Sequence, residues 1–328
     1  MAESSNARGV RHPSSLTGQS ADRIGVGYAP AHHGELLQGV FEDPKGRLHR
    51  ALVTLPQPRM GSKAVFRPGR DGTVTINRPE LTKALRAAEC TLRELGGTVG
   101  GPRGGHVEIT SDVPWGLGMG SSTSDVTATI RAVADYLGVA MPPEEVGRLA
   151  VLSEAASDSI MISDRVVLFA HRDGVVLETL GYRLPPMIVV GCDTEPQGSG
   201  VDTLKHPPAL YNGLEIGTFQ VLRATLRRAI ATQDVALIGR VATTSARINQ
   251  QFLPKACLEH LLDIARQYGG CGVQVSHSGT VAGLIFDPRR PGTGAGVDGS
   301  TAAIEALGLR VTCVIETEPS MQAARVTA

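Results

Sequence analysis

The chain has 328 residues, 41% of them hydrophobic and 20% charged, which is enough for two globular domains of ordinary size. Its 32 basic residues balance 32 acidic ones, so no broad field draws it to nucleic acid or to an anionic membrane, and neither is expected as a partner. Cys90, Cys192, Cys257, Cys271 and Cys313 are scattered, with no C-x-x-C and no histidine cluster at ligand spacing, which disfavours a structural metal site and predicts buried, reduced thiols.

Residues 1–23 are rich in Ser, Gly, Ala and Arg and hold no apolar run, so they read as a disordered tail rather than a secretory signal. No apolar stretch approaches the length of a bilayer span, and the expected location is the cytoplasm. Strands are predicted over 23–29, 50–55, 61–67 and 72–77, the last pair joined at the Arg70-Asp71-Gly72 turn. A helix over 79–95 ends at Gly96-Gly97, and a strand over 106–111 leads into a glycine-dense loop. Behind that loop Val126, Ile130, Val133, Ala134 and Leu137 recur at helical spacing until Gly138 and Pro142-Pro143 close the segment. A second helix follows over 143–153, then a hairpin of strands 166–170 and 175–180 around Arg172-Asp173-Gly174. A domain boundary falls near Pro185-Pro186. Beyond it come a strand over 187–191, helices over about 214–232 and 255–268, and strands through Gly272 and Val311. The irregular alternation predicts an α+β fold rather than a doubly wound sheet.

The loop Pro114-Trp115-Gly116-Leu117-Gly118-Met119-Gly120-Ser121-Ser122-Thr123-Ser124-Asp125 carries the most chemistry. Glycines let backbone amides approach an anion without a Cβ in the way, and the helix start adds unpaired N–H groups and a positive dipole end. It therefore reads as a phosphate-binding loop, with an ordinary glycine-rich turn as the alternative. It is not a Walker A loop, because Ser121 stands where the lysine should be. A dinucleotide fingerprint fails on glycine spacing, and Asp135 comes too early for its acidic ribose ligand.

The segment does resemble the second motif of the GHMP small-molecule kinases, P-x-x-x-G-L-G-S-S-[AST], with Met119 in place of the usual leucine. Ala29-Pro30-Ala31-His32-His33-Gly34-Glu35-Leu36-Leu37-Gln38-Gly39 is similar to the first motif and Gly272-Val273-Gln274-Val275-Ser276-His277-Ser278-Gly279-Thr280 to the third, so three motifs in order span residues 29 to 280. Within that family G-E-L-L-Q-G, S-S-T-S-D, S-D-S-I-M, S-H-S-G-T and Gly200-Val201-Asp202-Thr203 resemble the L-threonine kinase branch of cobalamin assembly. Tyr28-Ala29-Pro30 and the His32-His33 pair depart from that branch, which leaves the acceptor open.

The resemblance implies a two-domain fold, with an ATP-binding amino-terminal domain over 24–184 and a ferredoxin-like carboxy-terminal domain over 185–328. It implies ATP and Mg²⁺ as cofactors, held by Pro114, Gly116, Leu117, Gly118, Met119, Gly120, Ser121, Ser122, Thr123 and Asp125, with Ser122 and Glu154 as metal ligands. Asp158, in S-D-S-I-M, is implied as the general base, with Asp164 as rival and a turn-capping aspartate as the bland alternative. His33, Gly34 and Glu35 of motif 1, with Ser276, His277, Ser278 and Gly279 of motif 3, are implied to meet the acceptor, Glu35 pairing an ammonium group. The expected activity is phosphoryl transfer to the hydroxyl of L-threonine or a related small hydroxy amino acid. Another amino alcohol or hydroxy metabolite, ATP-dependent decarboxylation on the same fold, and a non-catalytic ATP-binding regulator remain alternatives. Sequence leaves the oligomeric state open, a homodimer included.

Overall fold

The computed structural model describes residues 23–196 and 209–317. The expected tail therefore lies almost wholly outside the described residues, as does Gly200-Val201-Asp202-Thr203. The chain opens with two long antiparallel strands, β1 (Gly25–Glu42) and β2 (Leu48–Gly69), followed by β3 (Val74–Ile76), α1 (Thr82–Val99) and β4 (Gly104–Ser111). Helices α2 (Ser121–Leu137) and α3 (Pro143–Glu154) come next, then the hairpin β5 (Val166–Ala170) and β6 (Val175–Gly181). The second half runs β7 (Ile188–Asp193), α4 (Gly213–Ala231), α5 (Val235–Asn249), α6 (Leu258–Gln267), β8 (Gly272–Val275), β9 (Val281–Phe286), α7 (Thr293–Ala306) and β10 (Arg310–Glu316).

The expected α+β class holds. In the second half the order β10-β7-β9-β8 is that of a β-α-β-β-α-β ferredoxin-like unit, its first crossover enlarged to three helices. β8 also pairs with β1 through Glu35 and Val275, so a single ten-stranded sheet runs through both halves. That pairing brings the first and third motifs into contact.

Several boundaries differ from the sequence expectation. The strands expected over 50–55 and 61–67 are parts of one, β2, and the register shifts opposite Pro30-Ala31 absorb the irregular stretch between them. β1 continues through motif 1 to Glu42, and from Ala31 to Gly39 it is buried on both faces, so period-two alternation vanishes there. α1 passes through Gly96-Gly97 and ends at Gly100, whose φ of 70° supplies the left-handed cap. Helices α5 and α7 escaped the sequence reading.

α2 is held between two left-handed glycines, Gly120 and Gly138, and its Val126, Ile130 and Val133 are buried, as their spacing requires. α3 starts with Pro143 at its first turn and closes on Ala155, a non-glycine residue at φ 67°. That strained residue follows Glu154 directly and delivers the chain to Ser157 and Asp158.

Candidate active site

Gly116, Gly118 and Gly120 all adopt positive φ, so the loop before α2 alternates in a way that side chains rarely tolerate. With Lys83, Ser121, Ser122, Thr123, Glu154, Ala156, Ser157, Asp158, His277 and Ser278 they line an open cleft of about 800 Å³. The loop is pinned from the second half: Thr280 and Val281 donate their backbone N–H groups to the Leu117 carbonyl at 3.0 and 3.1 Å. From β1, the His32 N–H donates to the Met119 carbonyl at 3.1 Å. Leu117 and Met119 thus belong to the loop's support, Met119 being buried with Ala31, Val113 and Val281, while Pro114 is not part of the cleft lining. Asp125 turns away from the cleft; it is buried, accepts from the Ser62 hydroxyl at 2.6 Å, and is raised above the usual carboxylate range by burial.

The carboxylates on the cleft are held differently. Ser122 donates to Glu154 Oε2 at 2.9 Å, Lys83 Nζ lies 3.9 Å from the same oxygen, and Glu154 Oε1 has no hydrogen-bond partner among the described residues. Burial pushes the Glu154 carboxyl up to about 7, against the pull of Lys83 and of the Ser122 hydroxyl. Asp158 receives His32 Nε2 at 2.8 Å and the Thr123 hydroxyl at 3.4 Å on Oδ2, while Oδ1 has no hydrogen-bond partner among the described residues. Burial alone would raise Asp158; His32 and then His277 reverse it and hold the carboxyl far below its usual range. Asp164, the rival base, is 63% exposed and ion-paired with Arg165 at 2.7 Å, outside the cleft lining.

Motif 1 sits deeper than an acceptor-facing segment would. Glu35 is 2% exposed and accepts from the His277 N–H at 2.7 Å and from His277 Nδ1 at 3.0 Å. Its carboxylate therefore anchors motif 3 and is not part of the cleft lining. His33 is fully buried between strands, with Gln274 Nε2 against its Nδ1 at 2.7 Å, and burial and the neighbouring His32 lower it to about 4, so it stays neutral. Gly34 has φ 66°, and a Cβ there would stand 2.2 Å from Gln274 Oε1. His277 is driven up to about 9: burial would lower it, but Glu35 and then Asp158 favour the imidazolium.

A second, partly open pocket shares Ala156 and His277 with the cleft and is lined by Gln38, Arg50, His171, Arg172, Tyr211, Asn249 and Ser276, among others. Sequence reasoning missed Arg50, Arg172 and Lys83, because a lysine at a helix start and arginines at a strand and a hairpin turn look like ordinary surface cations. It also missed His32 as a partner of Asp158, and Lys255, which is buried and donates to the Gly279 carbonyl at 2.5 Å.

Two motif-bearing halves joined through one sheet, with a glycine cradle at a helix start, define a class that the comparisons bear out. Residues 82–164 match the GHMP kinases N terminal domain. An L-threonine kinase of Salmonella typhimurium is 27% identical over 270 residues, 82% of this chain and 85% of that protein. An L-threonine kinase of Citrobacter freundii is 29% identical over 196 residues, 56% of this chain and 63% of that protein. The crystal structure of homoserine kinase from Cytophaga hutchinsonii superposes with a TM-score of 0.64 at 18% identity, covering 93% of this chain and 97% of that one. Residues 82–164 therefore carry a GHMP kinases N terminal domain, within a chain whose homologues at 27–29% identity include L-threonine kinases. Family and homologues together indicate a phosphotransferase, and L-threonine kinases are among those homologues. No described helix is long and apolar enough to cross a membrane.

Proposed function

We propose that this protein is an ATP- and Mg²⁺-dependent kinase that phosphorylates the hydroxyl of L-threonine or a related small hydroxy amino acid. The observation that carries this reading is the junction of the glycine-lined cleft with the arginine-bearing cavity at Ala156 and His277, with Asp158 on the cleft side.

The donor side fits a nucleotide. Gly116, Gly118, Gly120 and the first turn of α2 would hold the polyphosphate, with Lys83 as a counter-charge. Ser122 and Glu154 offer the oxygen ligands a hard cation takes, and the unpartnered Glu154 Oε1 is free for that purpose. Bound ATP supplies the phosphoryl group. Asp158 then accepts the acceptor's hydroxyl proton at Oδ1, the carboxylate oxygen not engaged by His32.

In the neighbouring cavity Arg50 and Arg172 suit a carboxylate, since guanidinium donors pair with it in a planar, charge-assisted way. Tyr211, Asn249 and Gln38 offer oxygens to an ammonium group. We assign the donor site to 24–184 and the far wall of the acceptor cavity chiefly to 185–328.

ADP release should be measured against L-threonine, homoserine, other hydroxy amino acids, amino alcohols, sugars and mevalonate, with mass spectrometry of the product. A phosphorylated hydroxy amino acid is the expected product. CO₂ accompanying ADP would instead indicate the decarboxylating chemistry, and ADP release with none of the amino acids would refute the acceptor class.

A further inference from the structure

β1 buries two consecutive histidines and gives them opposite surroundings. His33 faces Gly191 and Gly283 across the sheet and meets no carboxylate. His32 lies behind the cleft wall, against Gly120 and Asp158 of its lining. Its ring is fully buried between the phosphate loop and the chain after α3: a Cβ on Gly120 would stand 2.3 Å from His32 Cδ2, and on the other side Nε2 reaches Asp158 Oδ2 at 2.8 Å. Its backbone N–H is spent on the Met119 carbonyl at 3.1 Å, so backbone and ring together tie Asp158 to the loop that cradles the phosphates.

We propose that His32 is the positioning residue of the phosphoryl-transfer reaction, fixing the Asp158 carboxylate in one orientation so that Oδ1 alone points to the acceptor, with His277 and Glu35 closing the same buried unit from motif 3. This rests on the kinase reading above. His277 Nδ1 lies 3.8 Å from Asp158 Oδ1 and 3.0 Å from Glu35 Oε1, and His32 Nδ1 lies 3.9 Å from that same Glu35 oxygen. Two carboxylates and two imidazoles therefore form one closed set. It is electrically balanced when both imidazoles are protonated, which offsets the cost of burying each carboxylate.

The groups facing His32 are Asp158 from the chain after α3, Glu35 on its own strand and His277 from the β8–β9 turn, with neutral His33 adjacent. Asp158 is faced in addition by His171, which burial holds down to about 3 and hence uncharged, and by Glu154 from α3. Burial alone would depress His32; Asp158, and then Glu35, hold it above its ordinary value. An aspartate so paired is a poor base in the ground state. Its use is directional: Oδ2 is occupied by His32 and Thr123, and Oδ1 is left without a hydrogen-bond partner among the described residues.

Two measurements test this, one of them independent of the acceptor. In the ¹⁵N-histidine NMR titration of the full-length protein, with the His32 signal assigned by its loss in His32→Gln, Asp158→Asn should lower the His32 midpoint by about one pH unit or more, a tenfold change in proton affinity. An unchanged midpoint overturns the pairing. In kinetics with ATP and L-threonine, His32→Gln should lower kcat by roughly 10- to 100-fold, part of the 10²–10⁴ a positioned base contributes, with the ATP KM within about threefold. The loss should deepen toward acid pH, because Asp158 without its cationic partner protonates more readily. Unchanged kcat, or an equal loss at every pH between 5.5 and 9, refutes the role. If the wild-type protein phosphorylates no member of the acceptor panel, the functional reading falls, while the NMR titration still decides the pairing.

Discussion

Substituting Gly279 by alanine tests whether the third motif shapes the phosphate cradle. A Cβ at Gly279 would lie 2.3 Å from Gly118 Cα, Gly118 N and the Leu117 carbonyl oxygen, all backbone atoms. No rotamer change relieves such a contact, so one backbone must retreat until ordinary contact near 3.4 Å is restored, a shift of roughly 1 Å. Gly279 is also held from behind, because Lys255 Nζ binds its carbonyl at 2.5 Å, so the movement falls on the Gly116–Gly120 loop. A misplacement of about 1 Å in a positioning element costs on the order of 10²-fold in rate, and the overpacking itself about 1–3 kcal/mol of stability. Gly279→Ala should therefore raise the ATP KM and lower kcat/KM for ATP about 100-fold while the protein still melts cooperatively, a few degrees lower. Gly294→Ala, where an added Cβ meets nothing within 4 Å, is the control. Steady-state ADP release at varied ATP, with thermal melting of each variant, measures both effects. A Gly279→Ala protein with ATP kinetics within about threefold of wild type would show that the motifs' close approach does not govern the cradle.

Asp158→Asn should lower kcat by about 10²–10⁴-fold with ATP binding retained, whereas Asp164→Asn, at an exposed ion pair, should stay near wild type; the reverse pattern in turnover assays would place the base on the wrong residue. Ser122→Ala should weaken Mg²⁺-dependent turnover more than stability, seen as a raised Mg²⁺ requirement at an unchanged melting temperature; a normal Mg²⁺ response removes Ser122 from the metal shell. Arg172→Met should raise the acceptor KM by roughly 10- to 100-fold, as expected for a lost charge-assisted pair of about 1.5–3 kcal/mol, and leave the ATP KM alone; an effect confined to ATP would refute carboxylate recognition. His277 is raised from 6.5 to about 9 by Glu35, so the pair's stabilisation is fully present below about 6.5 and is lost as pH rises through about 9. Melting temperatures of wild type and Glu35→Gln should therefore differ most near pH 6 and converge above pH 9, and a pH-independent difference would exclude the linkage.

Much of the glycine-lined cleft was legible because its signals are local. Three glycines at alternate positions, hydroxyl residues after them and apolar residues at helical spacing specify a loop and the start of α2 without help from the rest of the chain. Elements whose burial comes from neighbours were not. β1 loses its alternation from Ala31 onward because both its faces are covered, and Glu35 lies in mid-strand. α5 begins at the Asp234 cap, but a glycine within it and no proline or glycine at its end blurred the pattern.

The chain alone determined that a glycine-lined helix start exists and which carboxylates follow it, since backbone freedom and periodicity are properties of consecutive residues. Tertiary structure alone decided which groups each carboxylate meets. Glu35, expected to meet an ammonium group, is consumed by His277, 242 residues away, and Asp158 is paired with His32 across 126 residues. Arg50 and Arg172 become cavity walls only when β2 and the β5–β6 turn are brought beside α5 and the third motif. Charge pairing depends on distance in space and on the exclusion of water, and neither quantity is written along the chain.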